Sequence, residues 1–447
     1  MPTPPYRADH VGSLLRPEPV KKARKAHYED HAMDAAELAA IEDEAIRAAV
    51  KLQEEAGLLA VTDGEIRRAY WHFDFMDGLT GLDIVEGEAN VKFAGAALTK
   101  HPTITDKLDF PDDHPMSQHF KFVAANTKVT PKISIPGPSA VHFRTKAEDI
   151  APAEYRKDEE ALFNDISRTY KKAVKAFYDA GCRYLQMDDI FFAYLCDPKE
   201  RARRKELGQD PDFLIDRYAQ MMHEAIEDRP DDMVIGMHMC RGNFKSTHAA
   251  EGAYDPAADA VFNKTGVDIF FMEYDTERAG GLEPLRLLPK GNKRVLPGFI
   301  TTKTGELEKL DDLKRKFDQA SKFADIAQLG IAPQCGFASA VATTRSSLRR
   351  WSSRVIVLPS SVEAKPHCGA MPSWAISANF DAWSNLRLRS SSFSSSPVLV
   401  VMKPGSTRFL PFGSSRSGSS PPARSVSYSM KKMSTPVLLK TASAAGS

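Results

Sequence analysis

The chain has 447 residues, of which 42% are hydrophobic, and a net charge of +1, so it can form one large domain or two smaller ones. No apolar run approaches the roughly 20 residues of a membrane-spanning helix, and the N-terminal stretch MPTPPYRADH lacks the apolar core of a signal peptide. The five cysteines are few and scattered, which indicates reduced thiols in the cytoplasm rather than a disulfide framework.

The first 65 residues alternate between strand and helix patterns. The stretch YRADHVGSLLRP (6–17) predicts a short strand that ends at Gly12 and Ser13. Apolar residues at helical spacing predict a helix from about Glu37 to Glu55, and the apolar run LLAVTDGE (58–65) then predicts a second strand. This alternation is typical of an α/β fold.

Residues 66–127 do not continue the alternation. They begin with the aromatic and polar stretch RRAYWHFDFM and continue irregularly, with room for one hairpin. Because so long an insertion in a compact domain is usually functional, we expect these residues to cover an active site. Trp71, His72 and Phe73 could contact a flat ligand there, or could simply be core residues.

Regular alternation returns after residue 131. Strands are predicted at 132–138, 182–189, 233–240, 267–275, 294–300 and 327–337, and helices at about 152–180, 198–228, 248–265 and 306–323. Short and almost continuously apolar strands are typical of a parallel sheet covered by helices. Eight such units favour a (β/α)₈ TIM barrel, and no glycine-rich G-x-G-x-x-G turn supports the alternative, a doubly wound open sheet.

Polar residues collect where these strands end. They are Ser13, Glu65, Ser139, Asp188, Cys240, Glu273, Lys303 and Cys335. In a barrel the C-terminal ends of all strands meet at one face, which is where barrel enzymes carry their chemistry.

Three of these strand-end residues, together with His238 two residues before Cys240, form a set of side chains that can bind zinc. His238 and Cys240 lie in GMHMC (236–240), Glu273 in IFFMEYD (269–275) and Cys335 in APQCGF (332–337). Thiolate, imidazole and carboxylate are all zinc ligands, and two residues separated by one point to the same side of a strand. The alternative is that these residues are merely buried, since free cysteines often behave as small apolar side chains.

Taken together, the motifs G-x-H-x-C, F-M-E-Y-D and Q-C-G-F resemble the catalytic barrel of cobalamin-independent methionine synthase, and most closely its short single-barrel relatives. The resemblance covers about residues 6–341. It implies a zinc ion held by His238, Cys240, Glu273 and Cys335. Three negative ligand charges against two positive ones would make that zinc suited to activating a thiol rather than water.

The same resemblance assigns the substrate residues. It implies methyl transfer to homocysteine or a similar thiol, in methionine biosynthesis. Glu65 in TDGE and Asp188 in QMDD match residues that hold the amino group of homocysteine, and Gly12 and Ser13 match the segment that binds its carboxylate. Taken one by one, these residues could also be ordinary caps or turn residues.

Two departures from the family pattern affect the mechanism. The full-length synthase has a histidine after its seventh strand, whereas Lys303 stands near that place here and could donate a proton, bind an acidic group or remain solvated. The full-length synthase also has an N-terminal half that contributes to folate binding, and no counterpart precedes the barrel in this sequence. The methyl donor is therefore open between a methyl-folate, a methylated corrinoid and another alkyl donor.

Residues 341–447 differ from the rest of the chain. They contain 14 Lys and Arg, two acids and 27 serines, which gives +12 against −11 for residues 1–340. We predict a barrel domain at 1–340 and a disordered, low-complexity tail at 341–447, whose composition resembles translation in a shifted reading frame from near Ala340. A nucleic-acid-binding arm is disfavoured because few aromatic residues are interspersed.

Three alternative functions remain at this point. A metal-free barrel resembling uroporphyrinogen decarboxylase shares the fold, but does not need the His, Cys and Glu motifs. A non-catalytic zinc-binding protein, or an inactive product of a frameshifted gene that lacks the closing helix of the barrel, would keep the motifs without the activity.

Overall fold

The computed structural model describes residues 4–338 except 88, 90–91, 94–95, 98, 243–246 and 304–307. The predicted tail at 341–447 lies outside this part of the chain. Among the described residues, no helix is both long and apolar enough to span a bilayer.

Helices alternate with strands along most of the chain. The α-helices of the described residues are α1 (Glu18–Tyr28), α2 (Ala35–Glu55), α3 (Phe73–Met76), α4 (Pro115–Asn126), α5 (Ser139–Arg144), α6 (Ala153–Lys157), α7 (Glu159–Asp179), α8 (Phe191–Tyr194), α9 (Pro198–Glu206), α10 (Pro211–Ile226), α11 (Asp255–Asp259) and α12 (Leu310–Ala320). Aspartate side chains cap several N-termini, as where Asp34 accepts a hydrogen bond from the backbone of Glu37. Gly181, at φ +100°, follows the end of α7 and lets the chain turn into the next strand.

The strands form one main parallel sheet and three small pairs. The strands of the described residues are β1 (Ala60–Val61), β2 (Thr80–Glu86), β3 (Lys92–Phe93), β4 (Ala96–Ala97), β5 (Lys100–Asp109), β6 (Thr130–Pro131), β7 (Ile133–Pro136), β8 (Tyr184–Asp188), β9 (Val234–Met239), β10 (Ile269–Glu273), β11 (Arg294–Ile300) and β12 (Ala332–Pro333). The main sheet has the order β12-β11-β10-β9-β8-β7, and all its pairs are parallel. The α/β class and the parallel sheet are therefore confirmed.

Two further segments lie next to the edge strands of this sheet without belonging to it. Strand β1 pairs in parallel with β6, and only Lys132 separates β6 from β7. At the other edge, Ala8 forms a parallel bridge with Ile331, and the Ile331 amide donates to the Arg7 carbonyl at 2.7 Å. The predicted strand at 6–17 is thus reduced to one bridge. The residues after Ala8 form hydrogen bonds through side chains and isolated amides, not through the regular ladder of a strand.

Three predicted helices differ in detail from the observed ones. The helix at 152–180 is interrupted at Asp158, which caps α7. The helix at 198–228 is two helices, α9 and α10, because Asp210 and Pro211 start a new one. The helix at 248–265 shortens to α11, which continues as a π-helix at Ala260–Lys264.

The insertion at 66–127 is more regular than its sequence indicates. Strands β2 and β5 form the antiparallel hairpin that the sequence left room for. Helix α4 follows, packs against α2 and buries Phe120 and Val123. The sequence pattern missed α4, whose start is marked by a His114 cap and Pro115.

Candidate metal centre and substrate pocket

Three of the four predicted zinc ligands meet in one cluster. His238 lies on β9, Cys240 directly follows that strand, and Cys335 follows β12. Their ligand atoms all lie within 4.8 Å of one another, and the two thiol sulfurs are 3.5 Å apart. The pairing of β9, β10, β11 and β12 brings these strand ends together.

The side chains of the cluster polarise one another. The Cys335 thiol donates to the Cys240 sulfur, and this hydrogen bond, with His238 nearby, lowers the pKa of Cys240 despite its burial. Burial alone would lower the pKa of His238, but the Cys240 thiolate and Asp188 outweigh it and raise the pKa. The Cys240 thiolate and the His238 imidazolium therefore stabilise each other.

The residues of this cluster fit a zinc ion. A tetrahedral zinc with Zn–S bonds of about 2.3 Å places two thiolates about 3.8 Å apart, close to the observed 3.5 Å. Asp188 also lies 3.5 Å from Nδ1 of His238, in the place of the carboxylates that commonly orient zinc-binding histidines.

The fourth predicted ligand, Glu273, lies outside the cluster. Its carboxylate accepts a hydrogen bond from the Arg241 amide at 2.7 Å and pairs with Arg278 and, at 3.0 Å, with Lys303. Burial raises the pKa of Glu273, but Lys303 and Arg278 outweigh it and lower the pKa overall. Glu273 is thus an anion that two cations already neutralise.

Lys303 faces Glu273 rather than the pocket. Its amino group lies 3.0 Å from Glu273 and 3.3 Å from Asp275, and its side chain is largely buried. The sequence allows three roles for Lys303, and its contacts fit the binding of an acidic group. The acids that it contacts, however, are Glu273 and Asp275 of the protein itself.

A pocket opens beside the cluster and contains three of the four predicted substrate residues. Glu65, Asp188 and Ser13 line it together with His238, Cys240 and Cys335. Its volume of about 160 Å³ is roughly ten times the 10–15 Å³ that one water needs. The pocket can therefore hold a ligand larger than water next to the thiols.

The two acids of the pocket are held differently. Glu65 accepts a hydrogen bond from Ser134 at 2.8 Å, and its backbone has the unusual φ of +56°. Burial raises the pKa of Glu65 to about 7, although Arg68 at 3.7 Å opposes the shift. Asp188 accepts from the Gln186 amide at 2.7 Å and contacts His238, so it joins the pocket to the metal cluster.

The Gly12 and Ser13 segment packs against the last strand. The Phe337 amide donates to the Ser13 carbonyl at 3.1 Å, and the Ala338 amide donates to the Ser13 hydroxyl at 3.3 Å. Gly12 has φ +133°, and a Cβ there would lie 3.2 Å from Glu65. Glycine is needed because this backbone conformation strains other residues and brings the chain close to the carboxylate.

Further pocket residues come from the insertion and from α5. Tyr70, Trp71 and His72 line the pocket, as the sequence suggested for Trp71 and His72, whereas Phe73 is a buried core residue. Arg144 also lines the pocket, although the sequence did not predict it as a site residue. In the sequence, only its charge marks Arg144. It directly follows the uncharged stretch PSAVHF, which comes just after a buried strand.

Comparisons with known proteins identify the family of the chain. A family model described as the catalytic domain of cobalamin-independent synthase matches residues 8–352. The uncharacterized protein YxjG of Bacillus subtilis (strain 168) is 45% identical over 340 residues, which cover 75% of this chain and 88% of YxjG.

Two solved structures are similar to this chain. A crystal structure of a putative vitamin-B12-independent methionine synthase from Listeria monocytogenes has a TM-score of 0.62 and 35% identity, and the match covers 79% of this chain and 98% of that one. A B12-independent methionine synthase from Shewanella sp. W3-18-1, solved with selenomethionine, shares the fold at a TM-score of 0.54 and 19% identity, over 78% of this chain and 91% of that one.

These matches decide between the two barrel families that the sequence left open, against the uroporphyrinogen decarboxylase-like alternative. They also remove the support for a corrinoid donor, since the matching family is defined as independent of cobalamin. The chain belongs to the family of cobalamin-independent methionine synthase-like proteins.

Proposed function

We propose that the protein is a zinc-dependent S-methyltransferase that moves a methyl group from a methyl-folate to the thiol of homocysteine. The observation that supports this most directly is the cluster of His238, Cys240 and Cys335, which lines the same pocket as Glu65 and Asp188. A thiol-binding metal centre and two acids in one pocket match the two ends of an amino-acid thiol.

The active domain in this proposal is a closed (β/α)₈ barrel over residues 1–340, with the 66–127 insertion beside its pocket. One hydrophobic cluster supports closure, because it joins residues of the N-terminal segment, β1, β8, β10, β11 and β12: Tyr6, Val11, Ala60, Tyr184, Ile269, Phe271, Leu296 and Ala332. Lys132 lies among them and pairs with Asp9 at 2.9 Å. Side chains from strands on opposite sides meet in this way inside a barrel.

At the metal centre, His238, Cys240 and Cys335 would hold the zinc, with Glu273 as the fourth ligand once it leaves Lys303 and Arg278. The zinc would lower the pKa of the substrate thiol and keep it nucleophilic at neutral pH. The role of the protein is to fix the donor set, and Asp188 does so by orienting His238.

The pocket residues would orient the substrate. Glu65 and Asp188 would accept hydrogen bonds from its ammonium group, and Ser13, with the Gly12 backbone, would bind its carboxylate. Lys303 would control Glu273 rather than transfer protons. The methyl group would pass directly to the sulfur, since the substrate thiol is itself the nucleophile.

The test is methionine formation by the full-length, zinc-loaded protein. Homocysteine is supplied with 5-methyltetrahydrofolate carrying one or three glutamates, and methionine is measured by mass spectrometry. The proposal expects turnover that Cys240→Ser abolishes and that Cys182→Ser, at a buried cysteine outside the cluster, preserves. Folded, zinc-loaded protein that forms no methionine with either donor would contradict it.

A further inference from the structure

The pocket contains a cation that the proposed chemistry does not use. Arg144, the last residue of α5, lines the pocket but is only 2% exposed. Its guanidinium has no hydrogen bond or ion pair with any described residue, and its Nε is buried without an acceptor. Buried charges are costly, and in proteins they are nearly always paired.

Other buried arginines in this structure do have partners. Arg204 pairs with Glu200 at 2.7 Å, and Arg217 pairs with Glu160 at 2.9 Å. Arg144 is held instead by two aromatic rings, with its guanidinium 5.7 Å from the centroid of Phe73 and 5.3 Å from that of Phe191. Such stacking stabilises the charge through the faces of the rings but leaves N–H groups of the guanidinium free to donate.

His72 adds a second unpartnered group beside it. Both ring nitrogens of His72 are buried without a hydrogen-bond partner among the described residues. Burial and the charge of Arg144 lower the pKa of His72 well below its usual value, so the ring is neutral and has one N–H donor. Burial lowers the pKa of Arg144 to about 10, which keeps the guanidinium charged at neutral pH.

The charges of the pocket are therefore unevenly placed. Glu65 and Asp188 attract an ammonium group, whereas Arg144 and His72 offer donors that have no acceptor among the described residues. An anionic group bound here would offer acceptors to these donors and pair the buried charge, and charge-assisted hydrogen bonds of this kind are the strong ones.

We infer that Arg144 and His72 form an anion subsite of the pocket, which binds a carboxylate of one of the two substrates. The inference rests on the proposed function, because a carboxylate is the anionic group that homocysteine and a folate donor share. The carboxylate could belong to the amino-acid acceptor, in addition to its contacts with Ser13, or to the donor.

The experiment compares ligands with and without a carboxylate on zinc-loaded, full-length protein. Homocysteine and 3-aminopropane-1-thiol, which lacks only the carboxylate, are titrated by calorimetry into wild type, Arg144→Gln and Arg144→Lys. The matched control is Arg204→Gln, at a buried arginine that stacks on Phe143 and does not line the pocket.

If the acceptor supplies the carboxylate, Arg144→Gln weakens homocysteine binding roughly tenfold or more, as expected for a hydrogen bond to a charged group, and leaves 3-aminopropane-1-thiol within about twofold. Arg144→Lys restores part of the loss. If the donor supplies it, homocysteine binding is unchanged, and the KM for 5-methyltetrahydrofolate rises by the same factor with kcat preserved. Either result supports the subsite.

Two results would overturn it. One is an Arg144→Gln protein with wild-type circular dichroism and zinc content, and with unchanged homocysteine affinity and donor KM. The other is a wild type that neither prefers homocysteine to 3-aminopropane-1-thiol nor binds the donor. A carboxylate preference that depends on Arg144, found without any methyl transfer, would instead contradict the proposed function and leave the subsite standing.

Discussion

The sulfur atoms of Cys240 and Cys335 lie 3.5 Å apart, although 95 residues separate the two cysteines in the chain. Strands β9 to β12 produce this contact, because their parallel pairing places the ends of the first and the last of them over one pocket. The site therefore depends on the sheet as well as on its own side chains.

Substitution of Gly298 tests this dependence on the sheet. A Cβ at Gly298 in β11 would lie 2.5 Å from the Cα of Gln334, next to Cys335. Because this contact is with backbone, we expect Gly298→Ala to displace the last strand, to cost about 1–3 kcal/mol of unfolding free energy and to reduce bound zinc. Urea unfolding and metal analysis measure the two effects.

Gly291→Ala is the matched control for that variant. Gly291 has φ +126°, but nothing lies within 4 Å of an added Cβ. It should lose about 1–2 kcal/mol from backbone strain and keep its zinc. Equal zinc content in both variants would argue against control of the site by the last strand.

The raised pKa of Glu65 predicts a pH dependence of ligand binding. With a pKa of about 7, the carboxyl is mostly neutral at pH 6 and mostly ionised at pH 8. If the ionised form binds the ammonium group, affinity should rise about tenfold from pH 6 to pH 8. Methionine is the suitable ligand, because it has no thiol that titrates, and calorimetry of the zinc-loaded protein measures its affinity.

Glu65→Gln supplies the control. This variant should bind methionine weakly at both pH values, with most of the pH dependence gone. A wild-type affinity that stays constant, or that falls as the pH rises, would contradict the assignment of Glu65 to the ammonium group.

The ion pair between Lys303 and Glu273 predicts opposite effects of two substitutions on metal retention. If Glu273 becomes a zinc ligand, Lys303 competes with the metal for the same carboxylate. We therefore expect Lys303→Met to slow zinc release to a chelator by about fivefold or more, because it removes a largely buried ion pair worth at least about 1 kcal/mol that competes for the carboxylate. Glu273→Gln should speed the release. If both variants release zinc at the wild-type rate, Glu273 is not a ligand.

The buried pair of Lys132 and Asp9 predicts a strong effect on stability. Both side chains are essentially unexposed, and their charged atoms are 2.9 Å apart. Lys132→Met should cost about 3–5 kcal/mol of unfolding free energy, because it leaves the Asp9 carboxylate buried without its cation. The double variant Lys132→Met with Asp9→Asn should recover part of that loss in urea unfolding. A double variant less stable than Lys132→Met would contradict this explanation.

Local patterns predicted the strands and their ends well. The runs that precede Asp188, Cys240 and Glu273 are all strands, because buried parallel strands need continuous apolar sequence that ends sharply where the site begins. The 3.6-residue period likewise located α2 and α12, although it placed helix boundaries less well wherever Asp-Pro pairs restart a helix.

Tertiary contacts were not predictable in the same way. Glu273 lies within the expected sequence motif, yet Arg278 and Lys303 hold its carboxylate outside the cluster. Arg144 carries no motif, and only the fold shows that its charge faces the pocket without an ion pair to any residue that the structure describes. The first strand, reduced to the bridge at Ala8, shows that a strand pattern does not by itself determine how many ladder bonds form.

Whether the cluster binds zinc is decided by the zinc content per chain of purified full-length protein. Wild type and Cys182→Ser should each contain about one zinc, and Cys335→Ser should lose most of it while remaining folded by circular dichroism. Well-folded wild-type protein without zinc after incubation with the metal, or a Cys335→Ser variant that retains a full equivalent, would contradict zinc binding by this cluster.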